Sequence, residues 1–175
     1  MSALYRIRQG TQALLAFTQT VNLQLVQQYL SSEQYMLFLT MRHSEQLHAV
    51  QVLNTVLEQE EQTPQDLAVA ALLHDVGKAR YRIYIWQKTI AVLAKRFLPK
   101  LYERWSEDVA PHQWWRRPFI IKAHHPRWGA EMLAETNASE RAIWLVAHHQ
   151  DNADDWKEHP DYHLLLRLQK ADSAH

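Results

Sequence analysis

The sequence predicts an all-helical fold organised as a single domain. Along most of the chain, apolar residues recur at spacings of three and four, which is the period of an amphipathic helix. The 175 residues include three glycines and six prolines, too few for the many turns of a sheet protein. Because a chain of this length buries roughly 70% of its unfolded surface, one hydrophobic core is sufficient.

The composition restricts the chemistry of any site. Cysteine is absent, which excludes disulfides, zinc-thiolate sites and thiol nucleophiles, so a metal would have to bind nitrogen and oxygen. The longest apolar run, residues 67–73, is far shorter than the roughly 20 residues of a membrane span. Arg6 and Arg8 are not followed by the apolar core of a signal peptide, so we expect a cytoplasmic protein.

The first part of the chain predicts a series of helices. Residues 5–17 and 21–30 each predict a short helix. Between residues 32 and 57 the apolar positions again follow the helical period, as one helix or as two with a break near residue 44.

The next helix is predicted to be buried. Thr63 is expected to cap it and Pro64 to occupy its first turn. Residues 67–76 are apolar nearly all round, and a helix without a polar face belongs in a core. His74 and Asp75 stand at its end, before Gly77, which we expect to terminate it.

An aromatic and basic segment follows at residues 79–123. Apolar residues at helical spacing from Trp86 to Trp105, with lysines and arginines between them, predict an amphipathic helix that is interrupted or kinked near Pro99. Residues 80–122 hold ten lysines or arginines against three acids. The stripe over residues 86–105 favours packing in the core or against a partner, such as a second copy, while peripheral membrane contact stays open.

The rest of the chain predicts three more helices. A loop between Pro111 and Pro118 leads to helices over residues 126–135 and 139–149, the second capped by Ser139. A polar turn at residues 150–160 precedes a last helix that ends near Asp172.

Histidines and aspartates interrupt these apolar helices, and we predict that they bind metal. Buried imidazoles and carboxylates are costly unless they are paired or bound, and divalent ions accept both kinds of donor. Adjacent helical residues point about 100° apart, so a pair such as His74 and Asp75 could serve two neighbouring ions. The predicted ligands come from five helices or helix ends: His48, His74, Asp75, His125, His148, His149 and Asp172.

The other histidines are interpreted as surface or hydrogen-bonded residues, because a lone histidine is rarely a ligand. This group comprises His43, His112, His159, His163 and His175. Two choices remain open, His43 against His48 and His124 against His125.

Residues 71–78, ALLHDVGK, resemble the signature of the HD superfamily of metal-dependent phosphohydrolases. Further elements follow in the family's order: His48 with Val52, the HHPRWGAEML segment, the doublet at 148–149, and KAD at 170–172. This order is similar to that of the binuclear branch, which includes the HD-GYP-type phosphodiesterases. The chain departs from that type after the doublet, where QDNADDW replaces the Gly-Tyr-Pro segment, so cyclic dinucleotide hydrolysis is poorly supported.

The resemblance implies an HD-type helical bundle over residues 1–175, with an N-terminal extension at 1–40 and an insertion at 79–123. It implies one or two divalent ions of the Mn, Mg, Fe, Ni or Co class. Asp75 would bridge them and, with Lys78, act in hydrolysis of a nucleotide or another small phosphoester. Side chains expected to hold further phosphates are Arg80, Arg82, Arg116, Arg117, Lys122 and Arg127.

Other functions compete with this one. The same order of ligands resembles di-iron oxygenases of the inositol oxygenase type. A metal-bound module that senses a nucleotide without hydrolysing it is a further alternative. Nucleic-acid binding is weakly supported, because the net charge is zero and no reader motif is present.

Overall fold

The computed structural model describes residues 19–81, 90, 92–94, 96–107 and 114–175. Within these residues the secondary structure consists of α-helices and short 3-10 helices, with no strand. The all-α prediction is therefore confirmed. The predicted helix at 5–17, together with Arg82, Trp86 and His112, lies outside the described residues. The α-helices are α1 (Leu23–Tyr29), α2 (Ser32–Leu39), α3 (His43–Gln59), α4 (Gln65–Leu73), α5 (Pro99–Ser106), α6 (Arg117–Ala134), α7 (Glu140–His148) and α8 (Tyr162–Ser173).

The segment predicted over residues 32–57 forms two helices, α2 and α3. Ser31 caps α2 by accepting a hydrogen bond from the Gln34 backbone at 3.2 Å. The chain then leaves the helical conformation at Arg42, whose backbone is extended, and α3 begins at His43. The break therefore precedes the predicted position near residue 44.

Helix α4 forms the centre of the core. Residues 67–73 are all buried, and α4 packs against α1, α3, α7 and α8. The prediction that Thr63 caps this helix is wrong, because Pro64 occupies the cap. The Thr63 hydroxyl instead donates to the Val56 carbonyl and accepts from Arg167, which joins α4 to α3 and α8.

The chain continues after α4 as a 3-10 helix, Val76–Arg80, so Gly77 is not the predicted terminator. Among the described residues no glycine has a positive φ, so backbone conformation does not require glycine at position 77. Close packing does. A Cβ atom at this position would lie 2.0 Å from the His125 carbonyl oxygen and 2.6 Å from the Gly129 nitrogen. The missing side chain lets the residues after Asp75 approach the backbone of α6 directly.

Helix α6 begins nine residues before the predicted start at Pro126. Pro118 lies in its first turn, where a missing N–H costs little, and Pro126 lies inside the helix. Phe119, Ile120 and Ile121 are all buried, so the first half of α6 is packed on more than one side. This packing outweighs the cost of the internal proline.

The aromatic and basic segment packs against α6. Residues 92–94 and 96–97 have helical backbone, the helix is interrupted at Leu98 as predicted, and α5 begins at Pro99. Ala94 and Tyr102 are buried against Phe119 of α6. Within the described part of the chain, no helix combines the length and the apolar character needed to cross a bilayer.

Candidate metal centre

Six of the seven predicted metal ligands converge at one place in the bundle. α3 and α8 contribute one side chain each, the end of α4 contributes two, and α6 and the end of α7 contribute one each. Four of the six residues are buried, and the other two are partly exposed. The six are His48, His74, Asp75, His125, His149 and Asp172.

The first group of donors lies between α3, α4 and α8. His48 Nε2 lies 2.8 Å from Asp172 Oδ1, and His74 Nε2 lies 3.5 Å from the same oxygen. His74 Nε2 is also 3.6 Å from Asp75 Oδ2. These short separations between nitrogen and oxygen donors suit a single divalent ion.

The second group lies between α4, α6 and α7. His125 Nε2 lies 3.3 Å from Asp75 Oδ1, and His149 Nε2 lies 3.8 Å from it. Asp75 therefore belongs to both groups, with one carboxylate oxygen facing each. A carboxylate placed in this way can bridge two ions.

The three buried imidazoles are oriented by hydrogen bonds to backbone carbonyls. The Nδ1–H groups of His74 and His149 donate to carbonyls three residues earlier, at 3.0 and 2.8 Å, and that of His125 to the carbonyl four residues earlier, at 3.0 Å. Each bond leaves the Nε2 lone pair directed into the site, which is how proteins orient imidazole ligands.

The same three imidazoles have Nε2 atoms that are buried and have no hydrogen-bond partner among the described residues. A buried polar atom without a partner costs roughly 1–3 kcal/mol, so its presence requires an explanation. Three such atoms around one buried carboxylate fit bound metal, because a metal ion accepts every one of these lone pairs. The residues present thus fit the divalent ions that HD domains bind.

The carboxylates of the site are held in their ionised form. Burial by itself would raise the pKa of Asp75, but the positive charge of Lys78 and the neighbouring His74 lower that pKa well below its usual range. Burial opposes ionisation of Asp172 too, yet the hydrogen bond from His48 and the nearby His74 lower its pKa. Ionised carboxylates are the form that binds metal.

The imidazoles have different electrostatic surroundings. Burial and the neighbouring His74 lower the pKa of His149 to about 3, so His149 is neutral near pH 7 and its lone pair is available. Burial would also lower the pKa of His74, but the charges of Asp75 and Asp172 together raise it. The two aspartates thus favour positive charge at this position, as they would favour a bound cation.

Lys78 contacts the site through Asp75. Its Nζ lies 2.5 Å from Asp75 Oδ2, and the side chain is 28% exposed. Burial would lower the pKa of Lys78, but Asp75 raises it, and so does the charge of Glu45, a buried residue one turn before His48 on α3. Glu45 is absent from the predicted ligands, although an acidic residue three positions before a predicted ligand shares its helical face.

Three predicted or alternative ligands lie outside the six-residue centre. His148 donates from Nδ1 to Asp151 at 2.6 Å. His43 donates to the Gln19 carbonyl at 2.9 Å, and His124 donates to the Ser106 carbonyl at 2.8 Å. Of the two open choices, His48 rather than His43 and His125 rather than His124 lies in the six-residue centre.

The described residues among those predicted to hold phosphate have different partners. Arg116 is buried and donates to backbone carbonyls of residues 104, 105 and 107, so it fastens the end of α5. Arg80 and Arg127 both form ion pairs with Glu131.

Two further cations face different surroundings. Arg117 lies over the Tyr81 ring and has a buried Nε without a hydrogen-bond partner among the described residues. Lys122 lines a cavity of about 720 Å³ beside α6 and α7, which His148 also lines. Arg127 lines the same cavity, so two of the described residues predicted to hold phosphate share it.

The fold and the site together define a class of protein. It is an all-helical domain whose helices bring imidazoles and carboxylates together in an arrangement that fits a metal centre. The family model of the HD domain matches residues 36–175. The chain therefore belongs to the HD-domain family, whose members are generally metal-dependent phosphohydrolases, and the predicted resemblance is confirmed. No curated protein and no solved structure matches the chain.

Proposed function

We propose that the protein hydrolyses a phosphate ester, either a nucleotide or another small phosphoester, with one or two divalent ions. The observation that carries the proposal is the pair of donor groups that share Asp75 and contain three unpartnered Nε2 atoms. Ions of the Mn, Mg, Fe, Ni or Co class accept this mixture of nitrogen and oxygen donors.

The residues of the chain have separate tasks in this proposal. His48, His74 and Asp172 would hold one ion, and His125 and His149 the other, while Asp75 would be shared. Divalent ions in such a site would supply activation of water and neutralisation of phosphoryl charge. The imidazoles contribute by keeping their lone pairs aimed inward before any ion arrives.

Lys78 would act on the substrate rather than hold metal. Its ammonium group keeps the Asp75 carboxylate ionised, and its partial exposure allows another of its N–H groups to meet a phosphate oxygen. We expect Lys78→Met to retain its metal but to lower phosphoester turnover by roughly 100- to 1000-fold, as loss of one positioned donor does. Turnover and metal content measured on the same preparation test this, and equal turnover would remove Lys78 from the mechanism.

Elemental analysis of the purified protein and of Asp75→Ala tests the metal assignment. The unaltered chain should carry bound transition metal, and the variant should lose it because both donor groups contain Asp75. His43→Ala is the matched control, since this histidine lies outside both groups. Equal metal content in the unaltered protein and in Asp75→Ala would overturn the proposal.

Activity is best tested with a panel of nucleotides and simple phosphoesters, using chelated protein reloaded with single metals in the absence of oxygen. Metal-dependent release of phosphate or nucleoside would support hydrolysis. In a parallel assay with oxygen present, oxygen uptake with Fe(II) and no phosphate release would favour a di-iron oxygenase. Tight binding of intact nucleotides would favour a sensing module.

A further inference from the structure

Exposed apolar side chains form a surface well separated in sequence from the metal ligands. Ile90, Leu93 and Phe97 follow the helical spacing of three and four and therefore share one face. They are 46%, 50% and 67% exposed. Together with Val92 and Leu98, which are also exposed, we call these residues the 90–98 patch.

The patch is the outer side of a segment whose inner side is packed. Ala94 is buried against Tyr102 and Phe119, so the segment is attached to α5 and α6 through that residue. The large apolar residues point away from this contact. Burial in the core therefore does not explain them, although core or partner packing was the favoured interpretation of the sequence.

Positive charges flank the patch. Residues 90–100 contain Lys95, Arg96 and Lys100 and no acidic residue. Arg96 and Lys100 are exposed, and the Arg96 guanidinium lies 5.7 Å from the centre of the Phe97 ring. Apolar side chains bordered by cations are typical of a helix that lies on an anionic bilayer surface.

A second copy of the chain fits this surface less well. A two-fold symmetric interface would place the patch against itself, so that Arg96 and Lys100 of both copies would border one buried surface. Like charges at an interface oppose association, whereas anionic headgroups attract them. Protruding aliphatic and aromatic side chains also suit insertion between lipids, because lipids can surround them, whereas a protein partner would need a groove to receive them.

We propose that the 90–98 patch docks the protein on an anionic membrane surface. Ile90, Leu93 and Phe97 enter the boundary between headgroups and acyl chains, and the neighbouring cations contact the headgroups. Each cation near such a surface strengthens partitioning by roughly fivefold. The proposal does not depend on the reaction at the metal centre.

Sedimentation with lipid vesicles tests this proposal directly. The full-length protein should bind vesicles of phosphatidylcholine with phosphatidylserine at least about tenfold more strongly than vesicles of phosphatidylcholine alone. The double variant Leu93→Glu, Phe97→Glu should lose this binding. Arg96→Glu should weaken it and make it less sensitive to salt.

Met36→Glu is the matched control, because Met36 is 64% exposed on α2 and no lysine or arginine lies within five residues of it in the sequence. It should bind vesicles like the unaltered protein. Circular dichroism and metal content should be unchanged in every variant, since the altered side chains are exposed. If the double variant were misfolded, Arg96→Glu alone would decide.

Three results would overturn the proposal. The first is equal binding to both kinds of vesicle, and the second is undiminished binding by the double variant. The third is an unaltered protein that binds no lipid and that light scattering shows to be a dimer, while the double variant is a monomer. That result would make the patch an interface between copies. Loss of lipid binding with intact hydrolysis would leave the proposed function standing.

Discussion

His148 and His149 are neighbours in sequence with opposite surroundings. His149 donates to the Val146 carbonyl and faces Asp75, whereas His148 pairs with Asp151 and packs against Trp144 and Trp156. Consecutive helical residues point about 100° apart, and at this end of α7 the direction toward the centre is that of His149, while His148 is directed at Asp151. A doublet in the sequence therefore contributes one side chain to the candidate centre.

This difference predicts unequal effects of alanine substitution. Changing a residue that hydrogen-bonds to a metal ligand typically weakens metal binding 10- to 100-fold, and we expect His149→Ala to weaken it at least as much. His148→Ala should keep its metal, because its ring nitrogen bonds outside the centre. Calorimetric titration of the chelated proteins with Mn(II) measures both, and a comparable loss in the two variants would contradict this assignment.

At the scale of elements, the contact between the 3-10 helix Val76–Arg80 and α6 positions half of the centre. Gly77→Ala would place a methyl group against the backbone of His125 and Gly129. We expect a loss of about 1–3 kcal/mol of folding free energy, because backbone atoms cannot move aside easily, together with weaker metal binding as His125 moves away from Asp75.

Denaturant unfolding and metal titration of Gly77→Ala measure these effects. Gly129→Ala is the matched control, since its new Cβ meets the Val146 side chain at 3.2 Å and a gain in helix propensity offsets the tight contact. Equal stability of the two variants would show that close packing at Gly77 is unimportant.

A second element contact fastens α8, which carries Asp172, to the end of α3. The partly buried Arg167 guanidinium bonds to Gln59, to Glu60 at 2.9 Å, to the Val56 carbonyl and to Thr63. Arg167→Met should cost about 1–3 kcal/mol of folding free energy, because the Val56 carbonyl loses its charged donor. Glu60→Gln should cost less than about 1 kcal/mol, since Glu60 is exposed. Urea unfolding compares the two, and the reverse order would contradict the argument.

For the whole molecule, the candidate metal centre joins helices that are distant in the chain. Because its ligands come from α3, the end of α4, α6, the end of α7 and α8, an ion that binds the folded state should stabilise the entire bundle. Mn(II) at 100 times its Kd should add about 2.7 kcal/mol to the free energy of unfolding. Thermal unfolding before and after chelation measures this, with Asp75→Ala as the control that should not respond. An unchanged Tm on chelation would contradict a metal centre spanning these helices.

The sequence by itself determined the class of fold and most of the candidate centre. Helical spacing predicted the core, and the apolar run into His74 and Asp75 marked the middle of the site. These features are local, because a helix period and a motif depend only on residues near one another in the chain.

Only the tertiary structure decided which member of each histidine pair faces inward, since that depends on how distant helices pack. It also decided that α6 continues through Pro126 and that Gly77 serves close packing instead of ending a helix. Sequence rules assign these residues their commonest local roles as helix breakers. Contacts with residues far along the chain gave them different roles, because burial of the α6 face outweighs local preference.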